Sequence, residues 1–263
     1  MAMKQSKKKL PKKEVKTRDV RRRIEARVFD RETLKILSTF LGKRLFDKVD
    51  CPVKMGKEAN VFRGVKMKDE KPLRYFAVKI YRIETTSFRS MQDYIIGDPR
   101  FKNIKKTQHE FIKIWTRKEY INLKAAFLAG VSVPEPIAYK NNVLIMNFVG
   151  EKGLPFPTLN YCDKSYMEGL GLDVDDFFKK VLEDIKKMHE IGLVHADLSE
   201  YNIIVSRKGP VIIDLSQTVS LKHPKAREFL ERDMFNFRKV CKKWGVDLDR
   251  SIEKLIGKVE TEL

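Results

Sequence analysis

His195-Ala196-Asp197-Leu198-Ser199-Glu200-Tyr201-Asn202, followed by Ile212-Ile213-Asp214-Leu215-Ser216, sets two carboxylates and one amide where phosphoryl transfer needs them. Magnesium takes hard oxygen ligands in octahedral geometry and keeps several waters, so one carboxylate and one amide beside nucleotide phosphates make a sufficient site. Asn202 and Asp214 suit that role. Asp197, in a loop ahead of Asn202, can orient or deprotonate an attacking hydroxyl while the metal neutralises the phosphates.

Immediately upstream, Phe177, Phe178, Val181, Leu182, Ile185 and Met188 recur at helical spacing and Gly192 follows them, so a helix delivers the chain to this stretch. Downstream, short strands over 203–205 and 211–213 flank Lys208-Gly209-Pro210, which puts Asp214 at a strand end near Asn202. A long helix is expected over 225–244 and a shorter one after it. Far upstream, 60–67 and 74–81 read as antiparallel strands about Lys68-Asp69-Glu70-Lys71-Pro72. Alternation there puts Ala77 and Lys79 on one face and Phe76, Val78 and Ile80 on the other. A helix over 107–129, with Phe111, Ile114, Trp115, Ala125 and Leu128 on one side, stops at Gly130. Residues 139–140 and 143–148 form a second hairpin about Asn141-Asn142. The polar stretch 82–106 reads as a long mobile loop, and Leu34, Leu37, Phe40, Leu41 and Leu45 predict an amphipathic helix over 30–47.

Lys and Arg number 55 against 36 Asp and Glu, a net charge of +19 that steers the chain toward polyanions such as nucleic acid. No RNA-reading motif is visible and no DNA specificity is expected, because charge alone gives affinity without base readout. Three cysteines, Cys51, Cys162 and Cys241, are widely spaced and odd in number, which favours reduced thiols over a secreted disulfide framework. With no apolar run long enough to span a bilayer and no secretory segment at the N-terminus, a soluble, cytoplasmic protein is expected, with no membrane partner. The expected organisation is a basic mobile tail over 1–23, a helical extension over 24–48, a sheet-rich lobe over 49–148 and a mainly helical lobe over 149–263.

That order, with Lys79 upstream and Asp197, Asn202 and Asp214 downstream, resembles the protein-kinase-like fold, and within it the RIO family of atypical serine/threonine kinases. The residues carrying the resemblance are Gly56-Lys57-Glu58-Ala59-Asn60-Val61, Ala77-Val78-Lys79, Lys118-Glu119-Tyr120-Ile121-Asn122-Leu123, and the segments around Asp197 and Asp214. Their wording is similar to the first RIO subfamily, in a short archaeal-like form, and 263 residues leave no room for the winged-helix domain of the second. The resemblance implies an α+β bilobal fold with an antiparallel sheet N-lobe and a mainly helical, truncated C-lobe. It implies that Lys79 holds ATP phosphates, with Glu119 rather than Glu110 as its partner. Gly56 to Asn60 would cover those phosphates with backbone amides, although Lys54 and Met55 stand where RIO proteins commonly carry small hydroxyl residues. Met146 would guard the adenine pocket beside Ala77 and Val61, with the Asn147 carbonyl and the Val149 amide as hinge contacts. His195 would pack beneath the loop as a supporting group.

The resemblance further implies that Asp214 can accept the phosphoryl group, an ATPase switch rather than a conventional kinase. Only 49 residues follow Asp214 in the 263-residue sequence, so the usual peptide-docking platform is expected to be missing. Magnesium or manganese with ATP, and a small-ribosomal-subunit precursor or ribosomal RNA, are the implied ligand and partner, with the protein substrate open. Thr85, Thr86, Ser87, Ser90 and Thr107 are candidate autophosphorylation sites. Two alternatives compete. Small-molecule phosphotransferases share a His-x-Asp-x-x-x-x-Asn pattern but usually add helices and an acidic pocket, and a non-catalytic, nucleotide-sensing RNA scaffold would need the charge but not every catalytic position.

Overall fold

The computed structural model describes residues 29–83, 91–101 and 107–262, with side chains as far as residue 257. The tail expected over 1–23, the first residues of the helical extension, and Thr85, Thr86, Ser87 and Ser90 lie outside the described residues.

Helix α1 (Arg31–Gly42) starts where the Asp30 carboxylate accepts the Thr33 amide at 2.6 Å, an N-cap. Its buried face is Thr33, Ile36, Leu37 and Phe40, which differs from the predicted leucine stripe. Leu34 and Leu41 point to solvent, because positions 33, 36, 37 and 40 share one side of a 3.6-residue helix. The buried Thr33 hydroxyl is satisfied by the Asn142 amide at 2.9 Å, which fixes that side inward.

An antiparallel five-stranded sheet follows, built from β1 (Lys48–Met55), β2 (Ala59–Lys68), β3 (Lys71–Tyr81), β4 (Pro136–Lys140) and β5 (Val143–Asn147) in the order β1-β2-β3-β5-β4. Strand β1 was not expected: it is a largely exposed edge strand interrupted at Pro52, so it carries no alternation to read. The alternation of β3 is as predicted. Phe76, Val78 and Ile80 join Phe62, Val143 and Ile145 in a core with Ile36, Leu37, Phe40 and Phe46, while Ala77 faces the other way.

Helix α2 (Gln108–Leu128), capped by Thr107, packs against the sheet. Residues 91–101 are not the free loop expected: Met91, Ile95 and Phe101 are buried with Tyr81, Phe111, Ile112 and Trp115. Gly97, at φ 92°, lies so close to Pro224 that a Cβ would meet its Cδ at 2.8 Å. This segment therefore spans from α2 to the second lobe.

That lobe begins with a hairpin, β6 (Gly150–Glu151) and β7 (Leu154–Pro155), and continues through α3 (Lys164–Gly169), α4 (Val174–Glu190), β8 (Leu193–Val194), β9 (Ile203–Ser206), β10 (Gly209–Ile212), β11 (Val219–Ser220), α5 (Ala226–Trp244) and α6 (Asp249–Glu262). Phe178 of α4 packs on Phe237 and Trp244 of α5 with ring centroids 6.1 and 5.8 Å apart. Leu144 and Met146 from the sheet belong to the same apolar core, so the lobes are continuous through β5. Among the described residues no helix is long and apolar enough to cross a membrane.

Candidate active site

Strand β8 ends in a turn whose geometry is imposed by α5. Ala196 sits at φ 65°, a conformation unfavourable for any residue with a Cβ, and its amide donates to Asp233 Oδ2 at 2.6 Å. The Leu198 amide donates to Asp233 Oδ1 at 2.9 Å, and the Arg232 guanidinium donates to the Ala196 carbonyl. The loop is thus gripped on three backbone groups by two adjacent side chains, which supports its strained residue.

Asp197 projects from this loop into the cleft. Its Oδ2 accepts from Asn202 Nδ2 at 3.0 Å and from Gln217 Nε2 at 3.3 Å, and Asn202 also donates to the Asp197 carbonyl at 2.9 Å. Burial and the neighbouring charge of Asp214 push the Asp197 carboxyl up to about 6. His195 lies beneath the loop, buried, with its pKa pushed down to about 4 by burial. It is therefore neutral: Nδ1 accepts from the Asp197 amide at 3.3 Å, which leaves Nε2 to donate to the Ile213 carbonyl at 3.2 Å.

Asp214 also occupies a left-handed backbone position, φ 63°. Its Oδ1 accepts from Lys79 Nζ at 2.8 Å and from Ser216 Oγ at 2.7 Å. Lys79 is almost fully buried and donates equally to Glu119 Oε1 at 2.8 Å, while the Tyr81 hydroxyl donates to Glu119 Oε2. Burial works against the ionised form of Asp214, but the Lys79 ammonium outweighs it and holds the carboxyl well below the usual carboxylate range. The same balance holds Lys79 above its ordinary value. Glu110, the rival partner, instead bonds Lys113 at 2.8 Å.

The glycine turn stands on the far side of the cleft. The Gly56 amide donates to the Ala59 carbonyl at 3.0 Å and to Asn60 Oδ1 at 3.2 Å, and a Cβ on Gly56 would meet the Ala59 carbonyl oxygen at 2.8 Å. Asn60 is buried and braces this turn, Lys57 is exposed, and the Glu58 carbonyl accepts from the Arg82 amide at 2.8 Å. Val61 is the register partner of Lys79, and Ala77 that of Met146, so these three line one face of the sheet with the lysine. Asn147 ends β5, its amide donating to the Glu135 carbonyl at 2.8 Å, and Val149 follows with its carbonyl taken by Phe156 at 3.2 Å.

Sequence reading missed the residues that hold Asp214 from behind. Lys118, fully buried, donates to the Ser216 carbonyl at 2.8 Å and to the Thr218 carbonyl, and Asn122 Nδ2 donates to the Leu215 and Thr218 carbonyls at 3.0 Å each. Arg100 Nη1 in turn donates to Asn122 Oδ1 at 2.8 Å. The only signal was a lysine and an asparagine one helical turn apart beside Glu119; Asp233 had none, since its partners are backbone amides far away in sequence.

The donor set fits magnesium. Oδ2 of Asp214 and Oδ1 of Asn202 carry no hydrogen bond among the described residues, and both are hard oxygens. Among those residues there is no cluster of three or more His, Cys, Asp or Glu that could hold a metal alone, so the ion would share its coordination with phosphates and water. The family model described as RIO domain matches residues 60–255.

The chain belongs to the RIO domain family.

It is 39% identical to the RIO-type serine/threonine-protein kinase Rio1 of Haloferax volcanii, over 86% of this chain and 74% of that protein. With the protein of the same description from Methanocaldococcus jannaschii it shares 41% identity over 84% of this chain and 72% of that one. The human serine/threonine-protein kinase RIO1 is 33% identical, but the matched region is 36% of that protein. Among solved structures, the Rio2 kinase-ADP/Mg2+-phosphoaspartate complex from Chaetomium thermophilum superposes with a TM-score of 0.60 at 19% identity, covering 84% of this chain and 65% of that one. That likeness carries the fold: a bilobal, kinase-like α+β architecture. This RIO chain is accordingly a serine/threonine protein kinase of the Rio1 type.

Proposed function

We propose that this RIO protein uses ATP with magnesium or manganese, acting as kinase and ATPase, in the cytoplasm, on a small-ribosomal-subunit precursor. The observation that supports it most is the triad in which Lys79 bridges Glu119 and Asp214 at 2.8 Å each, facing Asp197 and Asn202 across one cleft. Lys79 would hold the nucleotide phosphates, the Gly56 to Asn60 turn would cover them, and Met146, Asn147 and Val149 would border the adenine. Asn202 and Asp214 would hold the metal, whose bound charge offsets that of the phosphates.

In the kinase direction Asp197 accepts the proton of an acceptor hydroxyl as its oxygen bonds to the terminal phosphorus, and the bond to ADP breaks with the electron pair leaving on ADP. A second route uses Oδ2 of Asp214, which carries no hydrogen bond among the described residues. The carboxylate oxygen attacks the same phosphorus, ADP leaves with the electron pair, and water later hydrolyses the aspartyl phosphate to restore the carboxylate. The phosphoaspartate named in the Rio2 complex supports this route by analogy. The ribosomal partner is supported by the +19 charge.

Purified protein given labelled ATP and magnesium or manganese should release phosphate and label itself, and mass spectrometry should find phosphate on Asp214 as well as on hydroxyls. Absence of both activities, or their persistence in Asp197→Ala and Asp214→Ala, would reject the proposal.

A further inference from the structure

The cleft holds one more cation that the mechanism has not used. Lys54 lies near the end of β1 and is the register partner of Val61, which is in turn the register partner of Lys79. Residues directly opposite each other in an antiparallel ladder project to the same face, so Lys54, Val61 and Lys79 form one cross-strand row on the cleft side. The neighbouring row agrees with this assignment: Phe62 points to the opposite core, and Arg63, beyond it, turns back to the cleft side, where its Nη1 is bonded to the Gly153 carbonyl. Lys54 is exposed and makes no hydrogen bond or ion pair among the described residues, unlike Lys79, which is held on both sides. Two residues on, Gly56 folds the strand over the site through its bonds to Ala59 and Asn60.

We propose that Lys54 is a second phosphate-binding cation of the cleft, reaching the terminal phosphate of a nucleoside triphosphate from the strand side while Lys79 holds the phosphates from below. An exposed ammonium on a four-carbon stem, with no partner among the described residues, can follow a phosphate as charge builds on it. This inference rests on the nucleotide site proposed above and concerns which phosphate the extra cation reads.

The test compares wild type, Lys54→Met, Lys54→Arg and, as a charge-matched control on the same strand, Lys48→Met, titrated with ATP, ADP and adenosine in magnesium. Lys54→Met should weaken ATP about tenfold, weaken ADP less and leave adenosine unchanged, with Lys54→Arg and Lys48→Met close to wild type. Equal ATP affinity in Lys54→Met and Lys48→Met, or equal losses for ATP and adenosine, would overturn the assignment. Failure of the wild type itself to bind ATP would instead overturn the nucleotide site as a whole.

Discussion

Asp197 and Asp214 share one cleft yet differ in proton affinity, and the difference supports the tasks proposed for them. Asp197 is raised to about 6 by burial and by Asp214, so it is poised to take a proton near neutrality, whereas Asp214 is kept ionised by Lys79. Activity should therefore rise with pH through about 6, and a titration of the wild-type carboxyl by NMR that placed Asp197 near 4 would contradict this. The stability terms have opposite signs. Ionising Asp197 as pH climbs from its unfolded value to about 6 costs folding free energy, while the stabilisation from Asp214 is present above the unfolded carboxylate range and lost as pH falls through its depressed value. Asp233 serves differently, because both of its oxygens accept backbone amides of the loop that carries Asp197. Asp233→Asn keeps one acceptor and strands one buried amide, so unfolding free energy should drop by about 1–3 kcal/mol, measured by urea denaturation.

At the level of elements, α2 does more than carry Glu119. Lys118, Glu119 and Asn122 lie within little more than one turn and contact, respectively, the Ser216 carbonyl, the Lys79 ammonium and the Leu215 and Thr218 carbonyls. Asn122→Leu removes two donors from the turn after Asp214 and should lower kcat at least tenfold with a smaller change in the KM for ATP; an unchanged kcat would show that the turn holds itself. How much of this was legible follows from the range of each interaction. The spacing of Asp197, Asn202 and Asp214, the two faces of β3 and the helices α4 and α5 were written in local periodicity. Helix α2 was placed with a face only partly right: Phe111 and Trp115 are buried, but Leu128 is exposed, and Ile112, Lys118, Asn122, Leu123 and Ala126 are buried instead, because polar contacts to the 215–218 carbonyls share that side with the apolar residues. The edge strand β1 was hidden because exposure erased its alternation, the buried side of α1 because leucines sit on both of its faces, and the grip of Asp233 because a bond from a side chain to a distant amide leaves no local trace. Residues 91–101 look like a loop by composition, yet three apolar side chains spaced along them are enough to dock them.

Across the whole molecule, that docked segment joins the lobes. Tyr94 stacks on Phe229 with ring centroids 5.1 Å apart, the Ile96 carbonyl meets His223 Nε2 at 2.9 Å, and Arg100, held by Asp98 within the segment, ties it to Asn122 of α2. Gly97→Val would force a Cβ into Pro224 at a left-handed position, so hydrogen exchange over 91–101 should accelerate while the core of α4 and α5 keeps its protection. The +19 charge makes its own prediction: affinity for ribosomal RNA should fall steeply and linearly on a log–log plot against salt, and a flat plot would remove the electrostatic case for that partner. The ladder of contacts along α2 has a further consequence, one of thermodynamic reciprocity. Because one helix contacts both Lys79 and the turn after Asp214, any change that binding at one makes in affinity at the other must be returned by the same factor. On the proposed function, the amide protons of α2 should therefore gauge cleft occupancy, exchanging more slowly with a nucleotide at Lys79 and with a phosphate on Asp214 alike.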